Sequence, residues 1–538
     1  MARITSVAAI VICALLTSCF AIPAQAATVT VNNIAALVAA GSQATPPASV
    51  NVLGYANPGD GGGGIFTYNA TCPGTPDTGI YIAVTVGCYV RTIGTQISNL
   101  DFAAPPDGVT DNSLAVQATF NAAAAFKVPC LIVPNSVFVK IQLTTVHNGI
   151  TCTVDHAKRA IGLDKIVTGG LNFYAVSGAT ISIIDFDGQR TQQPVSEFVH
   201  SVTIYGGSNL HFPTATFVET RGDAMYISNT ENNKKSYGAP TGLVIDTFSS
   251  SNSATDGRNG ISVIVGSNFT FGSVTCQNIG GTINGIKEPG CVDLEPNSFA
   301  DQVTNMTFGA ITIAATGGAA GLSINGNVKA GVYDVNNVNF GNVTMTCAGV
   351  VLCGGLAHAG NVTLNLKASA ASVGGYGANA GFQIDDINGL HGAIATTGLN
   401  TNYLGALTLV QNVGLTLNIS NYGYASGCNQ GYGLETGKLS NATLAGTITT
   451  PGTMCPVAGV YERGDGALSN VTFGLAILNP ASGTIPTYGY QNAGGALSNV
   501  TILGSDCSAM PQARCLGSFP GAKIGNLPAA SPGTSTAP

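Results

Sequence analysis

Beyond about residue 130 the chain alternates apolar and polar residues with a period of two, inside a phrase that keeps returning. Asn268-Phe269-Thr270-Phe271-Gly272-Ser273-Val274-Thr275, Asn305-Met306-Thr307-Phe308-Gly309-Ala310-Ile311-Thr312 and Asn337-Val338-Asn339-Phe340-Gly341-Asn342-Val343-Thr344 share one pattern. Looser copies open at Asn361, Asp386, Asn412, Asn441, Asn470 and Asn499, and weaker ones near Ala179, Asn209 and Gly242. From Asn268 onward the steps average about 29 residues. Alternation sends successive side chains to opposite faces of a strand, and turn residues rather than helices separate the runs. The pattern predicts an all-β, single-stranded parallel β-helix of about 11–13 coils, each stacked on the last at about 4.8 Å. The Asn-x-Thr triplets also match a glycosylation acceptor. Their recurrence in step with the coil assigns them instead to turns and ladder hydrogen bonds.

Two stretches depart from the alternation. Asp107-Gly108-Val109-Thr110-Asp111-Asn112 is turn sequence leading into an alanine-rich run, which predicts a helix over about 113–126. A lone helix before a long β region reads as a cap over the open end of the solenoid. Residues 27–99 read as a small β-rich segment in which the glycines after Pro58-Gly59-Asp60 form a turn. They lack the following Gly-Lys-Ser/Thr of a phosphate cradle. The β-helix is expected over 100–515, and residues 516–538, rich in Pro, Ala, Ser and Thr, read as a disordered tail.

Composition narrows the function. Only 8% of residues are charged, and 19 Lys and Arg against a net charge of -7 exclude the basic patch that nucleic acid requires. Arg3, the apolar run from Val7 to Phe20 and Ala24-Gln25-Ala26 form a secretory signal over 1–26, placing the mature chain in a secreted, periplasmic or cell-surface setting. Leu16-Thr17-Ser18-Cys19 resembles a lipobox and offers a lipid-anchored Cys19 as the second reading. No later stretch approaches the length of an apolar helical span. Without Cys13 and Cys19 the cysteine count is even, as export favours. Neighbours in order give six local bridges: 72 with 88, 130 with 152, 276 with 291, 347 with 353, 428 with 455, and 507 with 515. The sequence leaves the pairing open. No Cys or His spacing suits zinc, and no metal is assigned.

The candidate chemistry concentrates in Gly290-Cys291-Val292-Asp293-Leu294-Glu295-Pro296-Asn297. On a strand, Val292 and Leu294 would face inward and Asp293 and Glu295 outward, with Cα atoms about 6.6 Å apart, which suits two carboxyls acting on one glycosidic bond. Aligning one apolar anchor per coil overlays Met225-Tyr226-Ile227-Ser228, Ile261-Ser262-Val263-Ile264, Val292-Asp293-Leu294-Glu295 and Leu322-Ser323-Ile324-Asn325. Tyr226, Ser262, Asp293, Glu295 and Asn325 then share one outer stripe. Asp223, Asp256, Arg258 and Asn259 lie just upstream of it, and Lys287 in the bend before Asp293. Hydrolysis would take Glu295 as acid and Asp293 as base or nucleophile, with Asp223 as a third carboxylate. Tyr226, Asp256, Asn259, Ser262, Lys287 and Asn325 would line the substrate. A uronate lyase would instead need Arg258 or Lys287 as base and would often hold calcium on carboxylates such as Asp256 and Asp293. A non-catalytic carbohydrate-binding or adhesin-like solenoid is the third reading. Asp185-Phe186-Asp187-Gly188 and Asp385-Asp386 with His391 are set aside as turn and strand chemistry.

Gly54-Tyr55 with Pro58-Gly59-Asp60, then Asp107-Gly108-Val109-Thr110-Asp111-Asn112, resembles the entry region of pectate-lyase-superfamily and phage-tailspike-like β-helix proteins. Arg258-Asn259-Gly260-Ile261-Ser262 and Val292-Asp293-Leu294-Glu295-Pro296-Asn297 resemble a second signature of that group. The resemblance implies a right-handed β-helix, a polysaccharide substrate and, by analogy, a homotrimer. Two departures stand out: no Trp near Tyr89-Val90-Arg91, and Ala103-Ala104-Pro105-Pro106 where Gly-Ala-Lys-Gly is usual.

Overall fold

In a computed structural model the described residues are 28–160, 169–231, 235–254, 257–283, 286–287, 290–314, 320–346, 352–369, 380–397, 403–420, 431–449, 457–464, 466–478, 488–503, 519 and 522–525. The chain folds as two compact units, the first ending at Thr92 and the second beginning at Ile93.

The first unit is a five-stranded sheet built from Val29–Val31, Ser49–Val52, Gly64–Asn69, Tyr81–Ala83 and Cys88–Arg91. It also holds a helix, α1 (Ile34–Gly41), where the sequence suggested only β structure. The helix starts because Asn33 caps it, its side chain accepting from Ala36 N at 2.9 Å, and it persists because Ile34 and Leu37 bury against Val50, Val52, Phe66 and Tyr89. The glycine run is a turn, as its composition implies. Asp60 holds it by accepting from the backbone N–H of Tyr55, Ala56, Asn57 and Gly62. Partial burial opposes ionisation of Asp60, but those four donors prevail and hold its carboxyl below the usual range. Arg91 lies over Phe66 at 4.6 Å and donates to the carbonyls of Gly79, Gly63 and Gly62.

The second unit is the expected parallel β-helix. One ladder of parallel strands passes from Cys130–Ile132 through Thr151–Arg159, Thr180–Asp187, His211–Val218, Val244–Ser251, Gly266–Gln277 and Val303–Ala314 toward the C-terminus. A second ladder passes from Ile141–Leu143 through Leu171–Tyr174, Val202–Tyr205, Met225–Ser228, Ile261–Val263 and Val292–Leu294 to Ala320–Asn325. The interior is filled by like residues stacking coil on coil. Phe271, Phe308 and Phe340 are fully buried with centroids 4.6 and 5.2 Å apart, each contributing roughly 2–3 kcal/mol of burial.

The repeating asparagine explains the pitch. Asn268, Asn305, Asn337, Asn361, Asn412, Asn441, Asn470 and Asn499 all adopt positive φ, between 50° and 59°, a left-handed bend that asparagine tolerates better than most residues. Their side chains also link coils. Asn305 donates to Asn268 at 3.0 Å, Asn441 to Asn412 at 3.2 Å and Asn470 to Asn441 at 3.1 Å.

Helix α2 (Ser113–Phe126) ends the solenoid as a cap. Gln117 donates to Gln142 O at 2.9 Å and accepts from Gln142 N at 2.8 Å, so one side chain stands in for the strand that Ile141–Leu143 lacks on its outer edge. Ser113 Oγ accepts from Val139 N at 2.9 Å. Disulfides join Cys72 to Cys88, Cys130 to Cys152 and Cys276 to Cys291, and Cys353 is also disulfide-bonded. The signal segment falls outside the described residues, as does at least one cysteine of each other expected bridge. The expected disordered tail is ordered where it is described: Phe519 is buried, and Lys523–Gly525 is a strand paired with Ala496–Leu503, because it extends the parallel ladder by one more coil. No helix among the described residues is long and apolar enough to cross a membrane.

Candidate active site

The second ladder carries the outer stripe in the register that the sequence overlay implied. Tyr226 pairs with Ser262, Ser262 with Asp293 and Asp293 with Ser323. The apolar partners Met225, Ile261, Val292 and Leu322 are fully buried inside the coil. Alternation thus fixes which face Asp293 takes, and coil stacking decides what meets it there.

That face is not open at Asp293. Val292, Asp293 and Leu294 are all buried, and Asp293 is 1% exposed. Asn259, from the preceding coil and itself fully buried, donates through Nδ2 to Asp293 Oδ2 at 3.2 Å and to Ser262 Oγ at 2.8 Å. The backbone N–H of Asn259 donates to Asp223 Oδ1 at 3.1 Å, and Arg258 Nη1 donates to Asp223 Oδ2 at 2.9 Å. Arg258 Nη2 also lies 3.9 Å from Glu197 Oε2. The Arg258-Asn259 pair therefore ties Asp223, Asp293 and Glu197 into one cluster.

Burial holds the Asp293 carboxyl well above the usual carboxylate range, and the nearby charges of Glu295 and Asp223 push the same way against Arg258 and Ser323. Glu295, two residues on, is only half-buried; it accepts from Asn325 Nδ2 at 3.1 Å and lines a cleft of about 220 Å³. Glu197, His200, Tyr205, Tyr226 and Arg258 also line that cleft.

His200 forms its floor. Burial, with Arg258 and Arg159 nearby, holds its imidazole well below its ordinary pKa, so it is neutral. Nδ1 lies 3.2 Å from the Asp223 backbone N and 3.3 Å from Asp223 Oδ2. The ring stacks on Tyr226 at 4.5 Å with an 8° interplanar angle.

The structure thus brings together Asp223, Tyr226, Arg258, Asn259, Ser262, Asp293, Glu295 and Asn325. Asp256 lies outside the described residues. Lys287 lies in an antiparallel hairpin with Thr282–Ile283, and its side chain is likewise outside them. Sequence reasoning missed Glu197, His200 and Tyr205. Thr203 pairs with Tyr226, so carrying the same overlay one coil further back reaches the strand bearing Tyr205, with His200 and Glu197 just upstream.

The constellations set aside are local pairs. His156 bridges Asp155 and Asp185, while Asp386 receives Tyr333 Oη at 2.9 Å and lies 3.0 Å from His358 Nδ1. His391 pairs by register with Thr363 and Gly414.

Comparison with known proteins supports the entry-region resemblance. Residues 30–94 match the phage tail protein small four-stranded beta-sheet domain. No curated protein sequence matches the chain. Among solved structures, the chain is similar to a tailspike protein from Acinetobacter baumannii bacteriophage Fri1, a capsular polysaccharide depolymerase, at 13% identity and TM-score 0.48, over 85% of this chain and 76% of that one. It is similar to the A-module of a mannuronan C-5 epimerase from Azotobacter vinelandii at 15% identity and TM-score 0.44, over 74% and 99%. The catalytic unit of a GH87 α-1,3-glucanase from Streptomyces thermodiastaticus aligns at 13% identity and TM-score 0.44, over 80% and 76%.

Proposed function

We propose that the protein acts on polysaccharide as a glycoside hydrolase, with Asp293 and Glu295 as its carboxyl pair and the Arg258-Asn259 clamp holding them. The observation that carries this reading is the contrast between the two acids. Asp293 is buried under Asn259 in surroundings that raise its pKa, while Glu295 stands in the cleft wall. Glycosidic cleavage needs one protonated and one ionised carboxyl, and environments that differ in this way divide the roles. The division reverses the one suggested by sequence: Asp293 is the candidate proton donor, reaching a leaving oxygen only when Asn259 moves off it, and Glu295, which faces the cleft, is the base or nucleophile. The cause is burial, which a strand pattern alone does not report. The Tyr226 ring provides a flat face for a sugar.

Elimination of a uronate fits the same residues less well. Arg258 is engaged with Asp223, and His200 Nδ1 packs against both the amide and the carboxylate of Asp223, so neither is a free base. The disulfides fit an oxidising, extracytoplasmic setting. The test incubates the protein, beside an Asp293→Asn/Glu295→Gln variant, with neutral and acidic polysaccharides. New reducing ends without unsaturated-uronate absorbance, lost in the folded variant, are expected. Absorbance would replace hydrolysis with elimination, and polymer binding without either product would make the protein a binding solenoid.

A further inference from the structure

A second concave site lies further along the same face, toward the capped end. Tyr174, Tyr205 and Tyr237 pack as a triad with centroids 5.1 to 6.2 Å apart. Tyr174 and Tyr237 line a cavity of about 370 Å³ with Gln142, Glu231 and Lys235. Tyr205 links the two places, packing against Tyr174 and Tyr237 while lining the Glu295 cleft. A small hairpin, Thr230–Glu231 with Lys235–Ser236, contributes to both: Thr230 lines the cleft, and Glu231 and Lys235 line the second cavity.

The charges in this cavity are unevenly satisfied. Glu231 Oε1 accepts from Tyr174 Oη at 2.8 Å and lies 3.3 Å from Lys140 Nζ, so that carboxylate already has a cation and a hydroxyl. The exposed Lys235 ammonium sits 4.8 Å over the Tyr237 ring and has no ion-pair partner among the described residues. A cation above an aromatic floor, in a chain with few cations, suits a ligand that presents a flat sugar face and a carboxylate together.

We infer that the cavity lined by Tyr174, Tyr237 and Lys235 is an accessory subsite for a carboxylate-bearing sugar of a polymer that runs along the coil axis past Tyr205 into the Glu295 cleft. This rests on the reading of that cleft as polysaccharide-acting. Four coil steps separate the strand of Tyr174 from that of Asp293, about 19 Å, so one sugar cannot occupy both places. The subsite therefore selects acidic polymers over neutral ones, and long chains over short ones.

The chain has no tryptophan, so its emission comes from its 17 tyrosines, and the share from this triad is identified by its change in the Tyr237→Ala protein. The experiment titrates the full-length Glu295→Gln protein with oligogalacturonate of eight residues and with a neutral α-glucan of equal length, following tyrosine emission. Adding Lys235→Ala or Tyr237→Ala should weaken uronate binding about tenfold, whereas Lys235→Arg should retain it. Both positions are at least partly exposed, so folding is not the variable. The inference is overturned if the uronate octamer gives no saturable change, if the variants bind it like the parent, or if the neutral octamer binds equally well. Product length separates this inference from the hydrolase reading. Cleavage by the Lys235→Ala enzyme with unaltered products removes the subsite and leaves the hydrolase. The expected variant pattern without cleavage by the Glu295 enzyme does the reverse.

Discussion

Arg258 donates to Asp223 at 2.9 Å, and the carboxylate that receives it is fully buried. A buried charge held this way depends on its partner, since removing one side leaves the other desolvated and uncompensated. Arg258→Met should lower stability by about 3 kcal/mol, read as a shift in the urea midpoint. The same variant should lose polysaccharide cleavage, because Arg258 lines the cleft and positions Asn259 against Asp293. Arg258→Lys, which keeps the charge without the planar fork, should fall between wild type and Arg258→Met on both measures. Equal midpoints for all three proteins would show that the pair does not hold this part of the fold.

Asp293 predicts a pH dependence of definite sign. Burial raises its folded-state pKa, so the folded protein keeps a proton that the unfolded chain releases near pH 4. Stability from this group is complete below the unfolded pKa and declines as pH rises toward the folded one. Asp293→Asn should remove that decline. Its melting temperature is expected to exceed that of wild type at neutral pH, and the gap should close toward acid pH. Wild-type activity should change in the same direction, with cleavage falling as pH rises through the folded pKa, whereas the more stable Asn variant is inactive throughout.

How far the sequence showed this site follows from what alternation and stacking can encode. The register of Tyr226, Ser262, Asp293 and Ser323 was legible because each sits between two apolar anchors, and a period of two leaves one choice of face. Helix α2 was legible from its cap and its alanines. The burial of Asp293 was not, because it arises from Asn259 folding over the strand from another coil, a contact 34 residues away in sequence. Nor was His200, which no repeat marks and which joins the site through a backbone amide of Asp223. Helix α1 was hidden for a different reason. Its eight residues carry no acidic or basic dipole signal, and its start depends on a single asparagine cap.

The Cys276–Cys291 bridge spans 15 residues and ends two positions before Asp293. In the chain-entropy account, closing a loop of this size contributes about 3 kcal/mol. Replacing both cysteines with alanine should therefore destabilise the protein by roughly that amount and reduce cleavage beyond what stability alone explains. The Cys72–Cys88 pair closes a loop of similar length, 16 residues, but lies in the first unit. Its removal should affect stability comparably and leave cleavage by the folded fraction unchanged. Activity measured per folded molecule, by active protein remaining after mild thermal challenge, distinguishes the two.

The asparagine ladder allows backbone conformation to be separated from hydrogen bonding. Asn441 occupies φ 50°, donates to Asn412 and accepts from Asn470. Asn441→Gly removes both side-chain bonds but tolerates the left-handed bend, so its cost is the ladder alone, about 1 kcal/mol for bonds that are partly open to water. Asn441→Ala removes the same bonds and adds the strain of a Cβ in the left-handed region, bringing the cost to about 2 kcal/mol. In a solenoid each coil contacts its neighbours only, so both losses should act near this coil and leave the Glu295 cleft, several coils away, fully active. The urea midpoints should rank wild type, then Gly, then Ala. An Ala variant as stable as the Gly variant would mean that the bend carries no strain, and that asparagine recurs in each coil for its hydrogen bonds only.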